Sequence, residues 1–122
     1  MLEPAQTVKI FETLPDQKFA AGQTIFEEGK PGDLMYGIIE GEVEFWVNGK
    51  PIEALKKGDV FGEGALVHRD GTRASTAVAK TDCILATMDE RRFLFAIEQT
   101  PLFALEVMRS FSDRLRRLKR SL

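Results

Sequence analysis

Glu63 and Arg73 stand ten residues apart in a stretch made mostly of glycine and small or apolar residues. It runs Gly58-Asp59-Val60-Phe61-Gly62-Glu63-Gly64-Ala65-Leu66, then Gly71-Thr72-Arg73-Ala74-Ser75-Thr76-Ala77-Val78-Ala79. Residues 62–66 read as a glycine-flanked turn that opens into a short helical stretch. The first amides of a helix lack partners within it and suit an anion. Glycine beside them lets a ligand approach the backbone. Arg73 heads an apolar strand, which points its guanidinium inward. A cation held there needs an anionic partner, because an unpaired buried charge is costly. The planar fork of arginine fits a phosphate, and a carboxylate beside it accepts from hydroxyls such as those of a ribose. Amides, arginine and glutamate together would read a sugar phosphate. Taken alone, the same two side chains would equally make a Glu63–Arg73 salt bridge on a surface turn, a common arrangement of little worth.

Other chemistries lack their residues. One histidine, His68, and one cysteine, Cys83, cannot build a His/Cys metal cluster. A Ser-His-Asp triad would have only His68 to use, and Val67-His68-Arg69-Asp70-Gly71 reads as an exposed polar loop. Cys83 reads as a packing residue. A lone cysteine allows no internal disulfide, which fits the cytoplasm. The longest stretch without a charge, Phe19–Phe26, is far too short to span a membrane. The start, Met1-Leu2-Glu3-Pro4, has no signal-peptide pattern. With 17 basic and 19 acidic residues in 122, the net charge of −2 makes a poor general nucleic-acid binder.

These residues have to be positioned by a framework, and the chain supplies one. Between Phe19 and Met88 it is punctuated by ten glycines and carries short runs of β-branched and aromatic residues: 24–26, 34–39, 42–47, 51–55, 75–79 and 84–88. Residues 42–47 alternate strictly, with Val43, Phe45 and Val47 on one face. Asn48-Gly49 then predicts a tight hairpin. Many short strands with regular turn signals predict an antiparallel, jelly-roll-like β-roll over about 17–89. Helices flank it. The first is expected over Pro4–Leu14, with Val8, Ile10, Phe11 and Leu14 as its apolar positions. Asp89–Gln99 is the next, capped by Asp89 and packing through Phe93, Ala96, Ile97 and Phe95. The last starts at Thr100-Pro101, with Thr100 as its cap. Its apolar stripe steps through Phe103, Val107, Phe111, Leu115, Leu118 and Leu122. The first three are expected against the roll and the last three beyond its edge. Arg109, Arg114, Arg116, Arg117, Lys119 and Arg120 occupy the other faces and read as a solvated surface. Residues 1–100 carry a net negative charge and residues 101–122 a net positive one, so an acidic body ends in a basic segment.

Phe61-Gly62-Glu63-x-Ala65-Leu66 followed by Arg73-Ala74-x-Thr76 resembles the phosphate-binding cassette of cyclic nucleotide-binding domains, the family of catabolite activator protein and protein kinase A regulatory subunits. Upstream, Gln23–Gly29 and Gly32–Val43 are similar to that family's β-roll pattern. The likeness runs over about residues 7–118 and implies a single domain over 1–122. It also implies roles. Glu63 would accept the ribose 2′-hydroxyl and Arg73 would clamp the cyclic phosphate. Amides near Gly64–Ala65 and at Ala74 would hold phosphate oxygens, with Gly62 allowing close approach and Ser75 adjacent. Phe45, Ile52 and Leu55 would face the base, and Leu118 or Leu122 would form a lid over it. Gly64 stands where the family often has Leu or Met, and glycine in a one-turn helix costs about 1 kcal/mol against alanine. Ala74 stands where members preferring cGMP often carry Thr, which leans toward cAMP.

The expected function is therefore a non-catalytic sensor or regulatory module with a cyclic nucleotide as ligand and no further cofactor. Its signal would pass to an unidentified effector protein or to a sister chain, with a homodimer through the last helix as one form. A scaffold that keeps the roll without the ligand is the alternative, and intact Glu63 and Arg73 argue against it. A cupin-like oxygenase is disfavoured by the missing histidines. With the chain ending at Leu122, no DNA-binding helix-turn-helix is expected.

Overall fold

The computed structural model describes residues 3–122. Eight strands form two four-stranded antiparallel sheets: β1 (Gln17–Phe19), β2 (Thr24–Phe26), β3 (Met35–Glu40), β4 (Glu42–Val47), β5 (Lys50–Lys56), β6 (Val60–Phe61), β7 (Thr76–Ala79) and β8 (Cys83–Met88). One sheet runs β1-β8-β3-β6 and the other β2-β7-β4-β5. The helices are α1 (Pro4–Phe11), α2 (Gly64–Val67), α3 (Glu90–Gln99) and α4 (Leu102–Arg120). This is the expected β-roll with flanking helices. The strands β1 and β6 are additional to the runs expected from the sequence.

Alternation along the strands divides the interior into two layers. Tyr36, Ile38, Val43, Phe45, Leu55, Phe61, Ala77, Ala79, Cys83 and Leu85 fill the space between the sheets. The opposite faces of β3 and β8 give Met35, Ala86 and Met88 to a second cluster with Val8, Val60, Ala96, Phe103 and Val107. Strand β3 is thus buried on both sides, which is why it reads as a continuous apolar run. Gly37 makes this possible, because a side chain there would collide with the backbone of Ala5 in α1. Asn48 and Gly49 both have positive φ, as the hairpin requires, and Val47 pairs with Lys50.

The helices depart from expectation in three places. Helix α1 ends at Phe11, and Ile10 and Leu14 are 64% and 55% exposed; Ala5, Thr7 and Val8 make its buried face. Asp89 caps α3 as expected, accepting from the Arg92 amide at 2.8 Å. Pro101 stands as the cap of α4 in place of Thr100, whose carbonyl accepts from the Phe103 amide. The buried face of α4 is Phe103, Glu106, Val107 and Ser110. Phe111, Leu115 and Leu122 of the expected stripe are 42%, 53% and 103% exposed, so Phe111 does not pack into the roll. Cys83 is buried as a packing residue and His68 is exposed.

Helix α2 forms despite its glycine. A methyl group on Gly64 would meet only the His68 ring, at an ordinary 3.8 Å. Gly64→Ala is therefore expected to stabilise the protein by about 1 kcal/mol through helix propensity, read as a raised melting temperature. A lowered one would show that the cassette needs a freedom that alanine removes.

Candidate functional site

Strand β6 delivers the chain to the mouth of the roll and Gly62 bends it there at φ +80°. The segment from Gly62 to Ser75 then folds back on the loop between β2 and β3. The Gly32 amide donates to the Gly71 carbonyl at 2.9 Å, the Arg73 amide to Lys30 at 2.9 Å, and the Gly29 amide to the Arg73 carbonyl at 2.8 Å. The backbone of Arg73 is fixed before its side chain does anything.

That side chain turns inward and the residue is 6% exposed. Its Nη1 donates to the Gly62 carbonyl and its Nη2 to the Leu34 carbonyl, both at 2.9 Å. The guanidinium lies over the Phe26 ring, 4.1 Å from the centroid. Its Nε is buried without a partner. No carboxylate among the described residues makes an ion pair with it. Burial accordingly lowers the Arg73 pKa from its ordinary value. Gly32 is the floor of this seat, because a Cβ there would occupy the space of the guanidinium itself.

The Glu63–Arg73 salt bridge does not form. Glu63 is 3% exposed and pairs with Arg114 of α4, whose Nη1 donates to Oε1 at 3.3 Å. Arg114 also donates from Nε and Nη2 to the two oxygens of Glu53 on β5, at 3.1 and 3.2 Å. Its guanidinium lies 5.6 Å from the Phe45 ring centroid and 5.4 Å from that of Phe111. Glu63 Oε2 is buried and unpartnered. Burial pushes the Glu63 carboxyl above its usual range, and the positive charge of Arg114 opposes that rise.

A cavity of about 210 Å³ joins these groups. Its walls include Phe26, Phe45, Glu63, Arg73, Phe111 and Arg114. Gly62, Gly64, Ala65, Ala74 and Ser75 line it as well, so the structure brings the expected cassette residues together with Phe45. The Ala65 amide is turned onto the Gly62 carbonyl at 3.3 Å, the same oxygen that receives Arg73 Nη1. Three expected residues lie elsewhere. Ile52 is 40% exposed on β5 and Leu55 is in the core between the sheets. Leu118 lines a neighbouring groove with Glu53, Phe111 and Leu115.

Residues 16–100 match the family model of the cyclic nucleotide-binding domain. The chain belongs to that family. It is 42% identical over 94 residues to a cAMP-dependent protein kinase regulatory subunit of Aspergillus niger and 33% identical over 117 residues to that of Candida albicans. These alignments cover 75% and 88% of this chain but 23% and 25% of the relatives, so the chain spans about a quarter of their length. Among solved structures, the catabolite activator protein of Thermus thermophilus superposes with a TM-score of 0.77 at 26% identity, over 98% of this chain and 57% of that one. A protein kinase A regulatory domain bound to Sp-2Cl-cAMPS shares the fold, with a TM-score of 0.69 at 22% identity over 96% and 88% of the two chains.

In this cyclic nucleotide-binding domain, sequence reasoning missed Gly32, Phe26, Glu53 and Arg114. Gly32 carries a signal in hindsight, as a glycine whose φ does not demand one; such a glycine marks close approach of another group. Gly32→Ala is expected to unseat Arg73 from both carbonyls and to destabilise the fold by about 1–3 kcal/mol, the cost of overpacking. Thermal denaturation checks this. An unchanged melting temperature would mean that Arg73 does not rest against Gly32.

Proposed function

We propose that the chain binds a cyclic nucleotide, cAMP in preference to cGMP, and acts as a non-catalytic regulatory module. In this reading Arg73 takes the cyclic phosphate, helped by amides near Gly64–Ala65 and at Ala74. Glu63 accepts the ribose 2′-hydroxyl. Phe45, with Phe111 of α4, flanks the base. The observation that carries the reading is the buried Arg73 guanidinium surrounded by carbonyls and an aromatic ring but no carboxylate. Carbonyls solvate a cation without neutralising it, and a phosphate would do both. Arg73 Nη1 and the Ala65 amide already converge on one acceptor, the Gly62 oxygen. A phosphate oxygen offers the same donors a stronger one.

The preference for cAMP rests on Ala74, which has no hydroxyl to offer a guanine, and on relatives named as cAMP-dependent. The cavity is smaller than the range of about 300–1,000 Å³ usual for ligand sites. Nucleotide entry therefore displaces Phe111 and so reports on α4, a population shift driven by ligand contacts. An effector protein or a second copy of the chain then reads the exposed apolar edge of α4, where Met108, Leu115 and Leu122 stand. No helix of the described residues is long and apolar enough to cross a membrane, and we place the module in the cytoplasm.

Calorimetric titration with cAMP and cGMP tests the reading. Arg73→Ala is expected to weaken cAMP at least tenfold, since truncating a buried charge pair costs about 2–5 kcal/mol. Wild-type affinity in that variant would overturn the assignment. The sugar contact has its own check. Glu63→Gln is expected to weaken cAMP more than 2′-deoxy-cAMP, because only the former presents the hydroxyl, and equal losses would remove the role given to Glu63.

A further inference from the structure

Glu63 has two oxygens in two different situations. Oε1 is held by Arg114 at 3.3 Å, while Oε2 is buried with no partner. Arg114 is not free to choose this contact, because two of its nitrogens are committed to Glu53 on β5. Its side chain and that of Glu53 are each only 14% exposed, and the Phe45 and Phe111 rings lie within 6 Å of the guanidinium. Glu53 does not line the cavity. A carboxylate clamped at one oxygen has its second oxygen fixed in space, with its acceptor capacity unmet.

We propose that Arg114 is the positioning residue for sugar recognition: anchored by Glu53, it orients Glu63, so that discrimination between ribose and 2′-deoxyribose is set from α4. This rests on the reading of Glu63 as the carboxylate that meets the ribose. The charges facing Glu63 are Arg114 from α4, Glu53 from β5 and Arg73 from the segment before β7. Asp59, ahead of β6, and Arg117 of α4 act on the same group of charges from outside. Burial alone would favour protonated Glu63, and Arg114 is the largest opposing influence. Removing Arg114 therefore raises the carboxyl pKa. Below that raised pKa the group is neutral and a weaker acceptor for the hydroxyl.

The experiment uses the full chain as wild type, Arg114→Gln, Arg114→Lys and Glu53→Gln. The Glu63 side-chain carboxyl is titrated by carbon NMR, and affinities for cAMP and 2′-deoxy-cAMP are measured between pH 5.5 and 8. In Arg114→Gln the Glu63 pKa is expected to rise further, because the positive charge that opposes the effect of burial is gone. The preference for cAMP over 2′-deoxy-cAMP should fall by about tenfold, the size of one charge-assisted hydrogen bond, and recover partly as pH rises. Glu53→Gln, outside the cavity, should reduce the same preference without touching the nucleotide. Arg114→Lys should restore the titration more than the preference, since an ammonium keeps the charge but not the fork. Equal weakening of both nucleotides, or an unmoved Glu63 titration in Arg114→Gln, overturns the proposal. If the wild type binds neither nucleotide, the cyclic-nucleotide reading falls and takes the sugar role with it, while the titration still decides whether Arg114 governs Glu63.

Discussion

The arrangement of this site hangs on one buried cation without a counter-ion. Arg73 gives its two terminal nitrogens to the carbonyls of Gly62 and Leu34 and rests its flat face on Phe26. Those three residues belong to three parts of the chain: the end of β6, the lead into β3, and β2. Seating one guanidinium therefore requires the cassette, the inner sheet face and the β2–β3 loop to be in register together. The backbone ladder between residues 29–32 and 71–73 meets that demand before the side chain is considered. The fold holds this guanidinium among backbone carbonyls and an aromatic ring, with no carboxylate paired to it among the described residues.

A second charge cluster stands opposite, and it is organised differently. Arg114 gives all three of its nitrogens to carboxylates from β5 and the cassette and lies near two aromatic rings. One arginine is held by carbonyls, and the other is paired with two carboxylates. The difference comes from where each is mounted. Arg73 sits on a loop locked to the roll. Arg114 sits thirteen residues into a helix whose earlier turns, through Phe103 and Val107, are the part that packs on apolar residues.

The roll was legible because its signals are local. Alternation in 42–47, the Asn48-Gly49 turn, and the glycine-bounded apolar runs each report on a few neighbouring residues. The cassette was legible for the same reason, since Gly62, Glu63, Ala65 and Arg73 lie close in sequence. The partner of Glu63 was not, because Arg114 is 51 residues away and an arginine on a helix is most economically read as solvated. Apolar periodicity also misled on α4. Beyond Val107 the inward face is carried by Ser110 and by Arg114, which reaches Glu53 and Glu63, while Phe111, Leu115 and Leu122 are largely exposed. Hydrophobic patterning finds the core-facing side only where the surface opposite is itself apolar. Ile52, which the family resemblance directed toward the base, is instead 40% exposed on β5.

The two ends of the chain reach the cassette from opposite sides. At the start, the Ala5 amide donates to the Gly58 carbonyl at 3.1 Å, and the Glu3 carboxylate fills the space that a side chain at Gly58 would take. Gly58 lies two residues ahead of β6, which leads into Gly62 and Glu63. At the finish, α4 grips Glu63 through Arg114. Helix α1 in turn touches both α3 and α4. A tether, a load or a neighbouring domain attached at either terminus would thus pull on the same few residues. In mechanical terms the roll is the fixed frame, and the cassette is the point where two levers meet.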